Sequence, residues 1–146
     1  MTTAIDVAAY IVKQKQPIIT HMKLQKLVYY SQAWTLVWDE VPLFTEPIQA
    51  WVNGPVVPVL FTRLQGKFGV VPNDFAADAG TILTDTEKAN VQKILGFYGD
   101  KSPQWLSDLS HMEKPWIEAR TGLAPNERGS QEITHASMAD YYGSLT

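Results

Sequence analysis

No cysteine occurs in this chain of 146 residues, which removes a disulfide scaffold, thiolate zinc sites and a cysteine nucleophile from consideration. Long apolar runs are missing too. Nothing approaches the roughly 18 to 20 residues a bilayer-crossing helix needs, and the charge-free stretch 47–62 is interrupted by Pro47, Pro55 and Pro58. The opening MTTAIDVAAYIVKQK carries Asp6 and lacks the basic-then-apolar order of a secretory signal. A cytoplasmic protein without a membrane partner is therefore expected. Positive charge is not in excess: 12 Lys and Arg stand against 15 Asp and Glu, a net of −3. That balance argues against a phosphate backbone as the main partner, so no nucleic acid is expected.

What the chain has is apolar and aromatic mass. Hydrophobic residues make up 45% and charged residues 18%, which places it among globular domains rather than disordered chains. Its charge is uneven. Residues 1–38 carry Lys13, Lys15, Lys23 and Lys26 against Asp6 alone, whereas residues 39–146 carry eight bases against fourteen acids. A solvated basic face on two helices accounts for this; a patch that steers an acidic protein partner is the sharper reading.

Helical signals dominate. Thr3 is placed to cap a helix with Ile5, Ala8, Ala9 and Val12 inward, ended by Pro17. Thr20 is placed to cap a second, in which Leu24, Leu27, Val28, Ser31, Trp34 and Trp38 form one stripe. No charge occurs from Leu27 to Trp38, so this helix is expected at the centre of the core, with Lys23 and Lys26 reaching outward at its start. Leu43–Thr45 and Ile48–Val52 are expected to pair as a small ribbon, with Asn53-Gly54 as a turn and Pro55 opening a helix to about Leu64. Gly66, Gly69, Pro72 and Gly80 predict a loop over 66–83. Thr84 and Glu87 form a capping-box pattern for a helix with Val91, Ile94, Leu95 and Tyr98 inward, ending at Gly99 as its C′ residue. Ser102-Pro103 starts a helix burying Trp105, Leu106 and Leu109, Pro115 opens another, and Thr134 caps a last one with Met138, Tyr141 and Tyr142. The expected fold is mainly α: a compact single-domain bundle, residues 1–146, of about six helices with a small two-stranded β appendage.

Catalytic and metal signals are sparse. His21, His111, His135 and the carboxylates lie on separate elements, without the ligand spacing of a zinc site, and no metal or cofactor is expected. His111-x-Glu113 resembles part of a zinc deaminase motif, but the cysteine pair that would complete it is missing. Serine-nucleophile elbows, P-loops and dinucleotide fingerprints are lacking as well. A small hydrolase or nucleotide-handling enzyme using His111 and Glu113 as acid and base remains the alternative to a binding module.

Three segments carry a resemblance: MKLQKLVYYSQAW at 22–34, PLFTEPIQAWVNGPVVPVLF at 42–61 and LSHMEKPWIEAR at 109–120. Their order and spacing resemble the Panacea domain, a bacterial and phage antitoxin family that includes the proteolysis adaptor SocA. The resemblance implies a mainly helical, non-enzymatic domain of a toxin–antitoxin pair or prophage. Its partner would be a cognate protein toxin, neutralised by direct binding or by presentation to a protease. Different members meet very different toxins, so the resemblance does not name the partner. Some members carry extra DNA-binding segments; none is expected here. Within the third segment, Trp116 is expected to fill a core slot beside Pro115, and His111 to bond backbone carbonyls or cap a helix end. Trp34 and Trp116 are both expected in the core. The residues proposed for partner contact are Lys23, Lys26, Trp51, Asn53, His111 and Glu113, with Trp51 on a strand edge.

Overall fold

The computed structural model describes residues 1–15, 17–78 and 83–146. Among them are seven α-helices: α1 (Ala4–Gln14), α2 (His21–Asp39), α3 (Pro58–Arg63), α4 (Asp85–Tyr98), α5 (Pro103–His111), α6 (Lys114–Ala119) and α7 (His135–Gly143), with a 3-10 helix at Pro72–Asp78. Two antiparallel pairs accompany them: β1 (Ile19–Thr20) with β4 (Gly69–Val70), and β2 (Gln49–Trp51) with β3 (Gly54–Val56). The mainly α architecture is as the periodicity predicts. Gly80, part of the expected loop, lies outside the described residues.

Local capping chemistry sets the helix starts. The side chains of Thr3, Thr20, Thr84, Ser102 and Thr134 each accept the backbone N–H three residues on, and Thr3–Asp6 and Thr84–Glu87 close reciprocal boxes. Helix α2 runs through the core with α1, α4, α5 and α7 packed around it. Its Leu24, Leu27, Val28, Tyr29, Tyr30 and Ala33 are shielded from water. Buried polar groups of α2 serve the chain that follows: the Gln32 amide accepts from Leu43 N–H (2.7 Å) and donates to the Phe44 carbonyl (2.6 Å). That holds the non-helical stretch after α2 against its own helix.

Several local expectations need correction. The ribbon is Gln49–Trp51 against Gly54–Val56, with Ala50 opposite Pro55. Pro55 is a strand residue and Pro58 begins α3. Leu43 and Phe44 are core residues outside any strand. The stretch expected to be loop contains β4 and the 3-10 helix. Helix α1 buries Ala4, Val7, Ala8, Ile11 and Val12, a stripe rotated by one position so that the larger Val7 and Ile11 face inward. Trp38 lies beyond the packed part of α2 and is exposed, with the Lys93 ammonium 4.7 Å from its ring centre. Trp105 is exposed as well, because Leu106 takes the inward position of the short α5. Trp34 and Trp116 pack against the core half-buried. Gly99 ends α4 with right-handed φ of −66°, so no left-handed C′ residue is needed there.

Candidate functional site

The β2–β3 hairpin is the meeting point of all three motif segments. Each strand has only three residues, too little to persist alone. Side chains from three helices hold it by its backbone carbonyls. Arg120 donates to the Ala50 carbonyl (2.9 Å), Trp116 Nε1 to Trp51 (2.8 Å) and Ser107 Oγ to Asn53 (3.0 Å). His111 Nε2 lies 2.7 Å from the Val52 carbonyl, and Lys26 Nζ donates to Pro55 (3.2 Å). From α2, Gln25 Oε1 accepts the N–H of Val57 just after the hairpin (2.9 Å). On the other side, Ala50 N–H donates to Gln131 O and Ile133 N–H to Ile48 O, so the 131–133 segment flanks β2.

The dense stretch LSHMEKPWIEAR is thus largely a clamp. His111 places Nδ1 2.5 Å from the Ser107 carbonyl while Nε2 faces Val52. Both neighbours are acceptors, so only an imidazole protonated at both nitrogens donates to both. Trp116 stacks obliquely on His111, ring centres 4.2 Å apart, and lies under the Arg120 guanidinium at 5.2 Å. Arg120 is itself buried and also donates to the Ala124 and Glu127 carbonyls.

Glu113 points the other way, into the core. Tyr30 and Tyr142 donate their hydroxyls to its Oε1 at 2.7 and 2.8 Å, and Tyr29 meets Tyr142 at 3.0 Å. Burial pushes the Glu113 carboxyl above its ordinary range, opposed by the two tyrosine hydrogen bonds. Burial pushes the Tyr29, Tyr30 and Tyr142 hydroxyls well up and that of Tyr98 up to about 12. With its carboxylate held by tyrosines inside the core, Glu113 offers no contact surface. His111 turns its two ring nitrogens toward backbone carbonyls of the chain itself.

Lys26 overturns the expectation of an outward basic group. It is 1% exposed and has no ion-pair partner among the described residues. Its stem lies over Gly54, where an added Cβ would come 2.8 Å from Lys26 Cε. Gly54 has φ +115°, a backbone region open to glycine and strained for other residues. The helix buries the lysine because the hairpin supplies both a glycine to pass and a carbonyl to reach. Burial alone lowers the Lys26 ammonium to about 8. Lys23 stays half-exposed; burial, then Lys15, lower it, while Asp100 raises it.

Between the hairpin, the start of α2, Phe61 of α3 and the 128–130 segment lies a cleft of about 570 Å³. His21, Met22, Gln25 and Lys26 form one wall; Gln49, Trp51, Val52, Asn53 and Val56 form the other. The structure brings Lys26, Trp51 and Asn53 to this cleft, and leaves Lys23, His111 and Glu113 outside it. The tyrosine network and the role of Arg120 leave no local pattern in the sequence; the signal for Arg120 is its place in the third motif. No group of three or more His, Cys, Asp or Glu among the described residues could hold a metal ion. No described helix is long and apolar enough to cross a membrane.

A family model described as antitoxin SocA-like, Panacea domain, matches residues 24–117. No curated protein and no solved structure matches. The matched span runs from the start of α2 through Trp116 and so contains the hairpin and most of its clamp. The chain belongs to the antitoxin SocA-like, Panacea domain family.

Proposed function

We propose that this member of the family neutralises a cognate protein toxin by direct contact, acting in the cytoplasm of a cell that carries both proteins. The family match over 24–117 carries the reading. The build of the site supports a binding role: the motif residues are spent on presenting a rigid hairpin and cleft rather than on assembling a nucleophile or an acid–base pair. Trp51 and Asn53, at the cleft, and half-exposed Lys23 are the residues offered to the toxin. His111 and Glu113 serve the same surface from behind, by holding the hairpin and the core beneath it.

Co-expression with the product of the neighbouring open reading frame tests the proposal. Growth arrest by that product alone, relief when this chain is present, and co-purification of the two are the expected results. Relief without any complex would refute neutralisation by contact. Repeating the assay in cells lacking the main cytoplasmic proteases separates sequestration, which survives, from presentation to a protease, which does not.

A further inference from the structure

The cleft has a feature that toxin contact does not require. A lysine takes a large desolvation penalty when buried without a carboxylate, yet Lys26 sits in the cleft lining with a single hydrogen bond, to the Pro55 carbonyl. An ammonium has three donors, so two are unclaimed among the described residues. The other charged or titratable lining residues, His21 and Arg128, are basic or neutral, and no acid among the described residues lines the cleft. The N-terminus of the 19-residue α2 lies at the same wall, adding the positive end of its dipole. The same cleft is lined by Trp51 and Phe61, ring centres 4.9 Å apart, and by His21, stacked on Phe61 at 5.6 Å. Gln25, Gln49 and Asn53 supply amides.

We infer that this cleft binds a small organic acid, a carboxylate or phosphate monoester on a flat apolar body, with its anionic group on Lys26 and its body against Trp51 and Phe61. The volume falls within the range of small-molecule sites, roughly 300 to 1,000 Å³, and such sites are mostly apolar with a few convergent polar groups. A single acidic side chain from a protein partner would leave much of that space empty. Arg128, exposed on the flanking segment, closes the rim as a second cation. An anion at Lys26 would offset the cost of burying its charge. The inference stands apart from the antitoxin reading, since it needs only the cleft and its cations.

Titration calorimetry on the full chain tests it with four probes: indole-3-acetate, adenosine monophosphate, inorganic phosphate and the neutral indole-3-acetamide. Saturable binding of indole-3-acetate identifies a carboxylate ligand, and that of the nucleotide a phosphate ester. The neutral amide should bind at least about tenfold more weakly, the scale of one charge-assisted hydrogen bond. Lys26→Met keeps the volume and removes the charge; it should lower affinity by about tenfold or more. Should that variant fail to fold, Arg128→Ala decides instead, because its side chain is exposed: weaker binding supports the site and unchanged binding overturns it. The inference also fails if neither organic acid saturates below about 10 mM, if the neutral amide binds equally, or if folded Lys26→Met binds like the parent. Loss of toxin capture by Lys26→Met with no binding of either acid would overturn it in favour of an acidic side chain from the partner.

Discussion

Lys26 crosses directly over Gly54, and the two residues fit only because the glycine has no side chain. A methyl group at Gly54 would meet Lys26 Cε at 2.8 Å and Ser110 Oγ at 3.0 Å, on a backbone with φ of +115°. Gly54→Ala should therefore cost about 2 to 4 kcal/mol, combining backbone strain with overpacking. Gly122→Ala is the control. Gly122 also has positive φ, +89°, but nothing lies within 4 Å of an added Cβ, so only strain of about 1 to 2 kcal/mol is expected. Denaturant melts of both variants check the difference, and equal losses would refute the crossing contact as its cause.

The same lysine makes stability depend on alkaline pH. Its folded value is lowered from 10.5 to about 8, so between those values the unfolded chain holds the proton that the folded chain has released. Stability then rises with pH through this interval. From about pH 7 to about pH 9.5 the gain should reach about 2 kcal/mol. Above the ordinary tyrosine range the buried hydroxyls of Tyr29, Tyr30 and Tyr142, all raised, act in the opposite sense. Lys26→Met should flatten the rise, and a rise of equal size in that variant would assign it to other groups.

How much of this was readable beforehand follows from the range of each interaction. Thr3, Thr20, Thr84, Ser102 and Thr134 bond backbone three residues away, so each cap is written in its own few residues. The observed ribbon differs from the expected one because Pro55 resembles a helix start, whereas its missing N–H is equally harmless opposite Ala50, where it occupies a strand. The pairing of Ile19–Thr20 with Gly69–Val70 is too short to leave a pattern. Burial of Lys26 depends on a hairpin 29 residues further on, and no helical periodicity reports what a distant segment offers. The glycine in the second motif was its only trace. Tyr29 and Tyr142 are separated by 113 residues, which puts the Glu113 network beyond any local reading.

Glu113 separates charge from hydrogen bonding. Glu113→Gln keeps an oxygen for the Tyr30 and Tyr142 hydroxyls and removes a buried charge, so at neutral pH it should be at least as stable as the parent. The folded carboxyl is raised, so its penalty is absent below the ordinary carboxylate value and develops as pH rises through the folded one. The advantage of the glutamine should therefore vanish in acid. Glu113→Ala removes the acceptor of the buried Tyr30 hydroxyl and leaves that of Tyr142 with Tyr29 alone, and should cost about 2 to 4 kcal/mol. Thermal melts across pH check this; a glutamine variant as unstable as the alanine one would mean that the charge itself is needed.

The clamp yields a functional prediction. His111→Ala should lose about 1 to 3 kcal/mol, since the Ser107 and Val52 carbonyls lose a side chain that faces both. Protection against the toxin should decline only as far as folding and binding do. A His111→Ala protein that folds, binds the toxin and fails to protect would point to a lost chemical step and refute neutralisation by contact.

Lys23→Glu should leave the melt within about 0.5 kcal/mol of the parent, because the side chain is half-exposed at the first turn of α2. If it faces the toxin, association slows, and the effect shrinks as salt is added. Association rates at low and high ionic strength measure it; an unchanged rate at low salt removes Lys23 from the interface.

The carbonyls of Ala50, Trp51, Val52 and Asn53 receive their partners from 70, 65, 59 and 54 residues further along the chain. That spacing imposes an order in time. A chain leaving the ribosome can wind α2 early, but a hairpin this short has only Lys26 and Gln25 to hold it until the clamp residues Ser107, His111, Trp116 and Arg120 have emerged. The surface offered to a partner is therefore among the last parts to take shape, and a chain cut short before residue 120 would contain the hairpin's own sequence in full without displaying it. Partner binding by nascent or truncated chains should switch on abruptly past that length rather than grow in step with it.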